Sequence, residues 1–309
     1  AEALLTRLQA AYAPGSAIQQ QQGKWYPGEP LPRWALACYW RKDGVPLWRD
    51  PKWLACMEGA PNIDADSVMA QRFTQALSER LGIAERFWIP AFEDAYYYLW
   101  KEQSLPVNVD PREANLKDDA ERHRLARLLE QGLDEVVGYA LPLRHSISQA
   151  HRWESGRWPL KRDHLFLVPG DSPMGLRLPL SALPWADPEE QPQPESLFAP
   201  RPELGDIHGE VARRNAEQLH ISDAERLGRS SHHSPSHPEG ESVQQQPRAA
   251  SDQESGIIHT SLCVEPRDGR LHIFLPPLTS LEHYLDLLST VEECAKALAC
   301  PVMVEGYSP

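Results

Sequence analysis

The chain has 309 residues, with 44 acidic against 31 basic side chains for a formal net charge of −13, and 41% of its residues are apolar. That apolar share supports a real core, yet no run of 18 uncharged residues could span a bilayer, and no basic patch favours nucleic acid. No basic segment followed by an apolar one marks a secretory leader, so a cytoplasmic protein that binds neither membrane nor nucleic acid is expected.

The first conspicuous stretch is residues 23–55, GKWYPGEPLPRWALACYWRKDGVPLWRDPKWLA, which holds five tryptophans. Beside so much Gly, Pro, Arg and Asp, no regular element could use them all. Two readings stand open. The tryptophans pin irregular loops to the core, each burying a large area with a single N–H to satisfy. Alternatively, Trp25, Tyr26, Trp34 and Trp40 with Lys24, Arg33 and Arg41 form a platform for an extended ligand, the arginines suiting carboxylates or phosphates. A mixture is expected, with Trp34 and Trp40 mainly structural.

Residues 64–82, DADSVMAQRFTQALSERLG, predict a helix: acidic N-cap candidates, Val68, Met69, Phe73, Leu77 and Leu81 near helical spacing, and Gly82 as the stop. Residues 90–111 then repeat the polar and aromatic character of the opening, with Glu93 and Asp94 ahead of an aromatic cluster, and these two acids join the substrate-binding candidates. A second helix is predicted at 118–131 and a strand at 136–143. Residues 153–171 read as a hairpin turning at Ser155 and Gly156, with HLFLV as its buried strand.

Composition shifts after Trp185. Residues 186–255 combine prolines, a HHSPSHP patch, a VQQQP tract and a single aromatic, Phe198, so a disordered acidic linker is expected. Its histidine patch lacks a rigid surround and is not read as a metal site. Residues 256–309 then predict β-β-α-β: a hairpin around Arg267-Asp268-Gly269, an amphipathic helix capped by Thr279 or Ser280, and a final strand PVMVEGY. So short a block has a thin core, which suggests that the chain is a piece of a longer polypeptide.

Few motifs carry chemistry. GDSPMGLR spaces Gly170 and Gly175 like a phosphate loop, but Leu176 and Arg177 stand where Lys and Ser/Thr are needed, so it reads as an ordinary loop. The five cysteines, Cys38, Cys56, Cys263, Cys294 and Cys300, form no C-x-x-C pair and read as reduced thiols in or near the core. The terminal block offers more. Strand alternation puts Ser261, Cys263 and Glu265 on one side and Leu262 and Val264 on the other; in PVMVE it separates Met303 and Glu305 from Val302 and Val304. If the helix covers the Leu/Val faces, Glu265 and Glu305 project from one open face. Two carboxylates on a rigid sheet suit magnesium, although solvated glutamates at strand ends are common without any function.

GKWYPGEPLPRWALACYWRKDGVPLWRDP, FEDAYYYLWKEQSLPVNVDP, SGRWPLKRDHLFLVPGDSPMGLRLPLSALPW and CVEPRDGRLHIFLPPL together resemble a bacterial family described as putative amidoligases. Its members are found C-terminal to a transglutaminase-like domain in the same polypeptide and are related to the glutamate–cysteine ligase and glutamine synthetase superfamily. The resemblance implies an α+β fold: a Trp-rich mixed block at 1–185, the disordered linker at 186–255, and at 256–309 the truncated start of an open antiparallel glutamine synthetase-like sheet. It implies ATP-dependent joining of a carboxylate to an amine, with Mg2+ and ATP as cofactors, Glu265 and Glu305 as metal ligands, and a peptide or amino-acid-like substrate. It further implies that the fragment alone is inactive and that an upstream transglutaminase-like domain is its partner. The competing expectation is a non-catalytic peptide-binding or docking module between enzymatic domains.

Overall fold

The computed structural model describes residues 2–24, 26, 34–55, 62–103, 128, 132, 134–146, 153–161, 164–185, 198, 203–230 and 257–308, without the side chains of residues 2, 102 and 221–230. The helix expected at 118–131 lies outside these residues, apart from Leu128.

The chain builds α1 (Glu2–Tyr12), β1 (Ala17–Gln22), β2 (Trp34–Tyr39), α2 (Ser67–Leu81), β3 (Ile89–Phe92), α3 (Ala95–Gln103) and β4 (Val136–Pro142). After these come β5 (Arg144–His145), β6 (Trp153–Glu154), β7 (Leu165–Phe166), α4 (Ile207–Ser230), β8 (Ser261–Arg267), β9 (Arg270–Leu275), α5 (Leu281–Ala297) and β10 (Val302–Gly306). Eight strands form one sheet in the order β2-β1-β10-β9-β8-β4-β3-β7, and β5 and β6 make a separate two-stranded ribbon. Among the described residues, no helix is long and apolar enough to cross a membrane.

The signals in residues 64–82 act as expected. The Asp66 side chain accepts from the Met69 N–H at the start of α2, and Gly82 closes it at φ 69°, a left-handed value that suits glycine. Phe73, Leu77 and Leu81, four residues apart, are buried, while Val68 faces solvent. In the β8–β9 hairpin, Asp268 and Gly269 both take positive φ, 52° and 70°, the two-residue turn whose twist matches that of the strands. Ser280, not Thr279, caps α5 by accepting from the His283 N–H.

The sheet is mixed, not antiparallel. β10 runs parallel to β9, and β1 runs parallel to β10. The cause is α5: its 17 residues span roughly 26 Å at 1.5 Å per residue, enough to carry the chain back along the strands to their starting end. The terminal block is also not a thin core of its own. β4 pairs with β8, and β1 pairs with β10, so its three strands lie at the centre of the sheet. α2 and α5 cover one face, burying Leu262, Val264, Ile273, Val302 and Val304.

Residues 153–171 do not form a hairpin. Trp153 and Glu154 pair with His145 and Arg144, whereas Leu165 and Phe166 pair parallel with Ala91 and Phe92 at the sheet edge. The segment expected to be a disordered linker contains α4. Val211 is buried, Arg214 forms an ion pair with Asp286 of α5, and His208 bridges Ser289 Oγ (2.9 Å) and the Pro46 carbonyl (2.7 Å). Composition missed this helix because polar side chains, not an apolar stripe, dock it. Residues 186–197, 199–202 and 231–256, with the histidine patch, lie outside the described residues.

Candidate functional site

Three strands bring the site together. On β8, Glu265 stands opposite His272 of β9, and Met303 of β10 stands opposite the same histidine; Glu305 lies two residues further along β10 on the same face. Cys263 and Phe274 share this face and belong to a second core with Leu165, Leu167 and Met174, away from α2 and α5. The alternation read from the sequence therefore puts both carboxylates on one side, with β9 between their strands.

Arg267 joins them. Its Nη1 donates to Glu265 Oε2 at 2.8 Å and to Glu305 Oε1 at 3.4 Å, and its Nη2 donates to Glu305 Oε2 at 2.7 Å. His272 Nδ1 lies 2.7 Å from Arg267 Nη2 and 3.2 Å from Glu305 Oε2. A guanidinium only donates, so Nδ1 either accepts from Arg267 when bare or donates to Glu305 when protonated, never both.

The face is not open. GDSPMGLR crosses it as a turn, and the Met174 N–H donates to Glu265 Oε2 at 3.1 Å. Gly175 permits this approach: a Cβ there would stand 2.1 Å from the Phe274 ring. Glu305 is left 1% exposed and Glu265 7% exposed. Burial pushes the Glu265 carboxyl up against the pull of Arg267. Burial acts likewise on Glu305, but the adjoining His272 and Arg267 outweigh it and hold that carboxyl below its ordinary value.

A pocket of about 640 Å3 opens beside the cluster. Leu4, Leu5 and Leu8 of α1 form one wall, and Trp34, Ala35 and Leu36 of β2 form another. Its polar lining is Gln20, Asp171 and Arg267. Gln20 pairs with Glu305 across β1 and β10, so the pocket ends where the cluster begins. Arg267, with 24% of its side chain exposed, connects the two.

Magnesium demands nearly octahedral oxygen ligation and keeps several waters. Here Arg267 already pairs with both carboxylates, and a backbone N–H takes one oxygen of Glu265. Among the described residues, no group of three or more His, Cys, Asp or Glu is placed to hold a metal ion. In this arrangement Glu265 and Glu305 do not fit a bound magnesium.

The other candidates are scattered. Trp34 lines the pocket, whereas Lys24 and Tyr26 are exposed, and Trp25 and Arg33 lie outside the described residues. Arg41 pairs with Asp43, Glu93 is buried against Arg177, and Asp94 caps α3 by accepting from the Tyr97 N–H at 3.1 Å. Trp40 is 60% exposed and Trp34 is 41% exposed, so the expectation that these two are buried structural residues is overturned; Trp48, 2% exposed, has that role. Sequence reasoning missed Arg267, His272, Gln20 and Asp171. For Arg267 the signal was present, since it continues the alternation of Cys263 and Glu265. The four described cysteines are free thiols, three of them buried, and burial pushes the Cys294 thiol up to about 12 and Cys300 up to about 11.

Comparison with known proteins gives one positive result: residues 1–309 match the family model described as Putative amidoligase enzyme (DUF2126). No curated protein and no solved structure matches the chain.

Proposed function

We propose, for a chain that belongs to this amidoligase family, that it forms the substrate end of an ATP-dependent carboxylate–amine ligase, centred on the face that carries Glu265, Arg267, His272 and Glu305. In such a reaction a carboxylate attacks the γ-phosphate of ATP, releasing ADP and leaving an acyl phosphate. An amine then displaces phosphate, giving the amide and losing a proton. The observation that carries the reading is the convergence of two buried glutamates on one guanidinium at the end of a pocket. Buried ion clusters are costly in a fold that needs only stability, because hydrophobic residues of similar volume often serve as well or better. Polar groups held in fixed positions beside a pocket are what substrate positioning requires.

No residue of this chain is assigned to the nucleotide or to magnesium, and the longer polypeptide with a transglutaminase-like domain remains part of the proposal. The test is ATP turnover and amide formation by the full-length polypeptide. Glu265→Gln preserves an acceptor for the Met174 N–H but removes the charge, and it is expected to lower turnover at least 100-fold with little change in melting temperature. Unchanged turnover removes the cluster from the reaction. The apolar pocket walls, with Leu4 63% and Trp34 41% exposed, suit a second reading, a non-catalytic peptide-docking module. That reading is supported instead if the full-length polypeptide hydrolyses no ATP with any amine and carboxylate pair yet retains peptides.

A further inference from the structure

We propose that Arg267 is the cation of this site: its guanidinium stands between Glu265 and Glu305, where the resemblance to ligases placed magnesium, and it excludes a divalent ion until the side chain is withdrawn. The lock acts on the face of the ligase reading but does not depend on turnover. β9 separates the strands of the two glutamates, so at about 4.8 Å per strand their backbones are roughly 10 Å apart. Two oxygens on one magnesium lie at most about 4 Å apart, because each bond is only about 2.0–2.1 Å long. A guanidinium reaches further. Nη1 donates to Glu265 at 2.8 Å and Nη2 to Glu305 at 2.7 Å, and the planar fork adds its own width between the bonds. Nη2 also lies 2.7 Å from His272 Nδ1. The groups that hold Arg267, two carboxylates and an imidazole nitrogen, are of the types that divalent metals take. Spaced around the fork, they are not placed to hold one.

The lock has a way out. Of the four residues in the cluster, Arg267 is the one that also lines the pocket, and 24% of its side chain is exposed, against 9% for Glu265 and 1% for Glu305. Its withdrawal into that space of about 640 Å3 leaves both glutamates on their strands. At rest the side chain stays, because its hydrogen bonds to the carboxylates are charge-assisted and withdrawal breaks them together. Once it has left, two carboxylates on one face repel each other, and a divalent ion offsets that repulsion with twice the charge of a guanidinium. The glutamate side chains are then free to turn toward one another and close on the ion.

The experiment uses Mn2+ as the probe, because it accepts oxygen and imidazole ligands and its unpaired electrons broaden nearby NMR signals. In the wild-type chain, millimolar Mn2+ is expected to leave the His272 ring signals sharp. Arg267→Met keeps an unbranched stem without the guanidinium. In that variant Mn2+ is expected to broaden the His272 signals and, by calorimetry, to bind at least about tenfold more tightly than to the wild type. Adding Glu305→Gln to Arg267→Met is expected to abolish both effects. Broadening of His272 by Mn2+ in the wild type overturns the proposal, because a divalent ion then enters with Arg267 in place. So does an Arg267→Met chain that folds and gains no affinity, or one whose gain survives Glu305→Gln. If Arg267→Met does not fold, the wild-type spectrum decides alone. No step here involves turnover, so an inactive full-length polypeptide removes the ligase reading and leaves the lock, while Mn2+ at His272 of the wild type does the reverse.

Discussion

Replacing Arg267 with alanine isolates the electrostatics of the cluster. The guanidinium is within 2.8 Å of Glu265 and 2.7 Å of Glu305, and its removal leaves two carboxylates that are 7% and 1% exposed without a cation. Removing one partner of a buried pair costs about 3–5 kcal/mol. Because 24% of the Arg267 side chain is exposed and water reaches it, the lower end, about 3 kcal/mol at pH 8, is expected. The sign with pH follows from the carboxyls. In the wild type Glu305 lies below its ordinary value, so its contribution is present above that value and is lost as pH falls through the depressed one. Glu265 lies above its ordinary value, so its protonated form is favoured by folding, and stability is lost as pH rises through the raised value. Without Arg267 both carboxyls move up. The deficit of the variant is then full at pH 8 and shrinks as pH falls toward the ordinary carboxylate range near about 4. Urea midpoints for both proteins at pH 8, 6 and 5 measure it, with equal slopes as a control. A deficit independent of pH would show that Arg267 acts through packing, and one below about 1 kcal/mol at pH 8 would show that solvent already screens the cluster.

Two further outcomes follow from packing. Trp48→Ala is expected to cost about 3–5 kcal/mol, since the indole is buried and donates to the Asp50 carbonyl at 2.9 Å, while Trp40→Ala should cost under about 1 kcal/mol. Equal urea midpoints for the two variants would contradict the burial seen here. In limited proteolysis residues 207–220 are expected to resist cleavage, and Arg214→Ala should expose them, because Asp286 and Thr290 then lose their bond to α4. Early cutting of this segment in the wild type would show that α4 is not docked.

Much of the architecture was legible because its signals are local. Asp66 and Gly82 end α2 whatever packs on it, the Asp268-Gly269 turn is written in two residues, and the period of two puts Glu265 and Glu305 on one face. α4 was hidden because burial of Val211 with polar docking through His208 and Arg214 leaves a composition that resembles a linker. The direction of β10 depends on the return path of α5, and the pairing of β7 depends on a partner more than 70 residues away in the chain. The site divides in the same way. Alternation determined which carboxylates share a face, but whether that face is open depends on GDSPMGLR crossing it, and Glu265 is reached from Met174, 91 residues earlier. Likewise Gln20 and Glu305 become neighbours only when β1 is laid beside β10. Capping, turns and periodicity are set within a few residues by backbone sterics and hydrogen bonding, whereas burial, pairing and charge neutralisation depend on groups distant in sequence that only the closed sheet brings into contact.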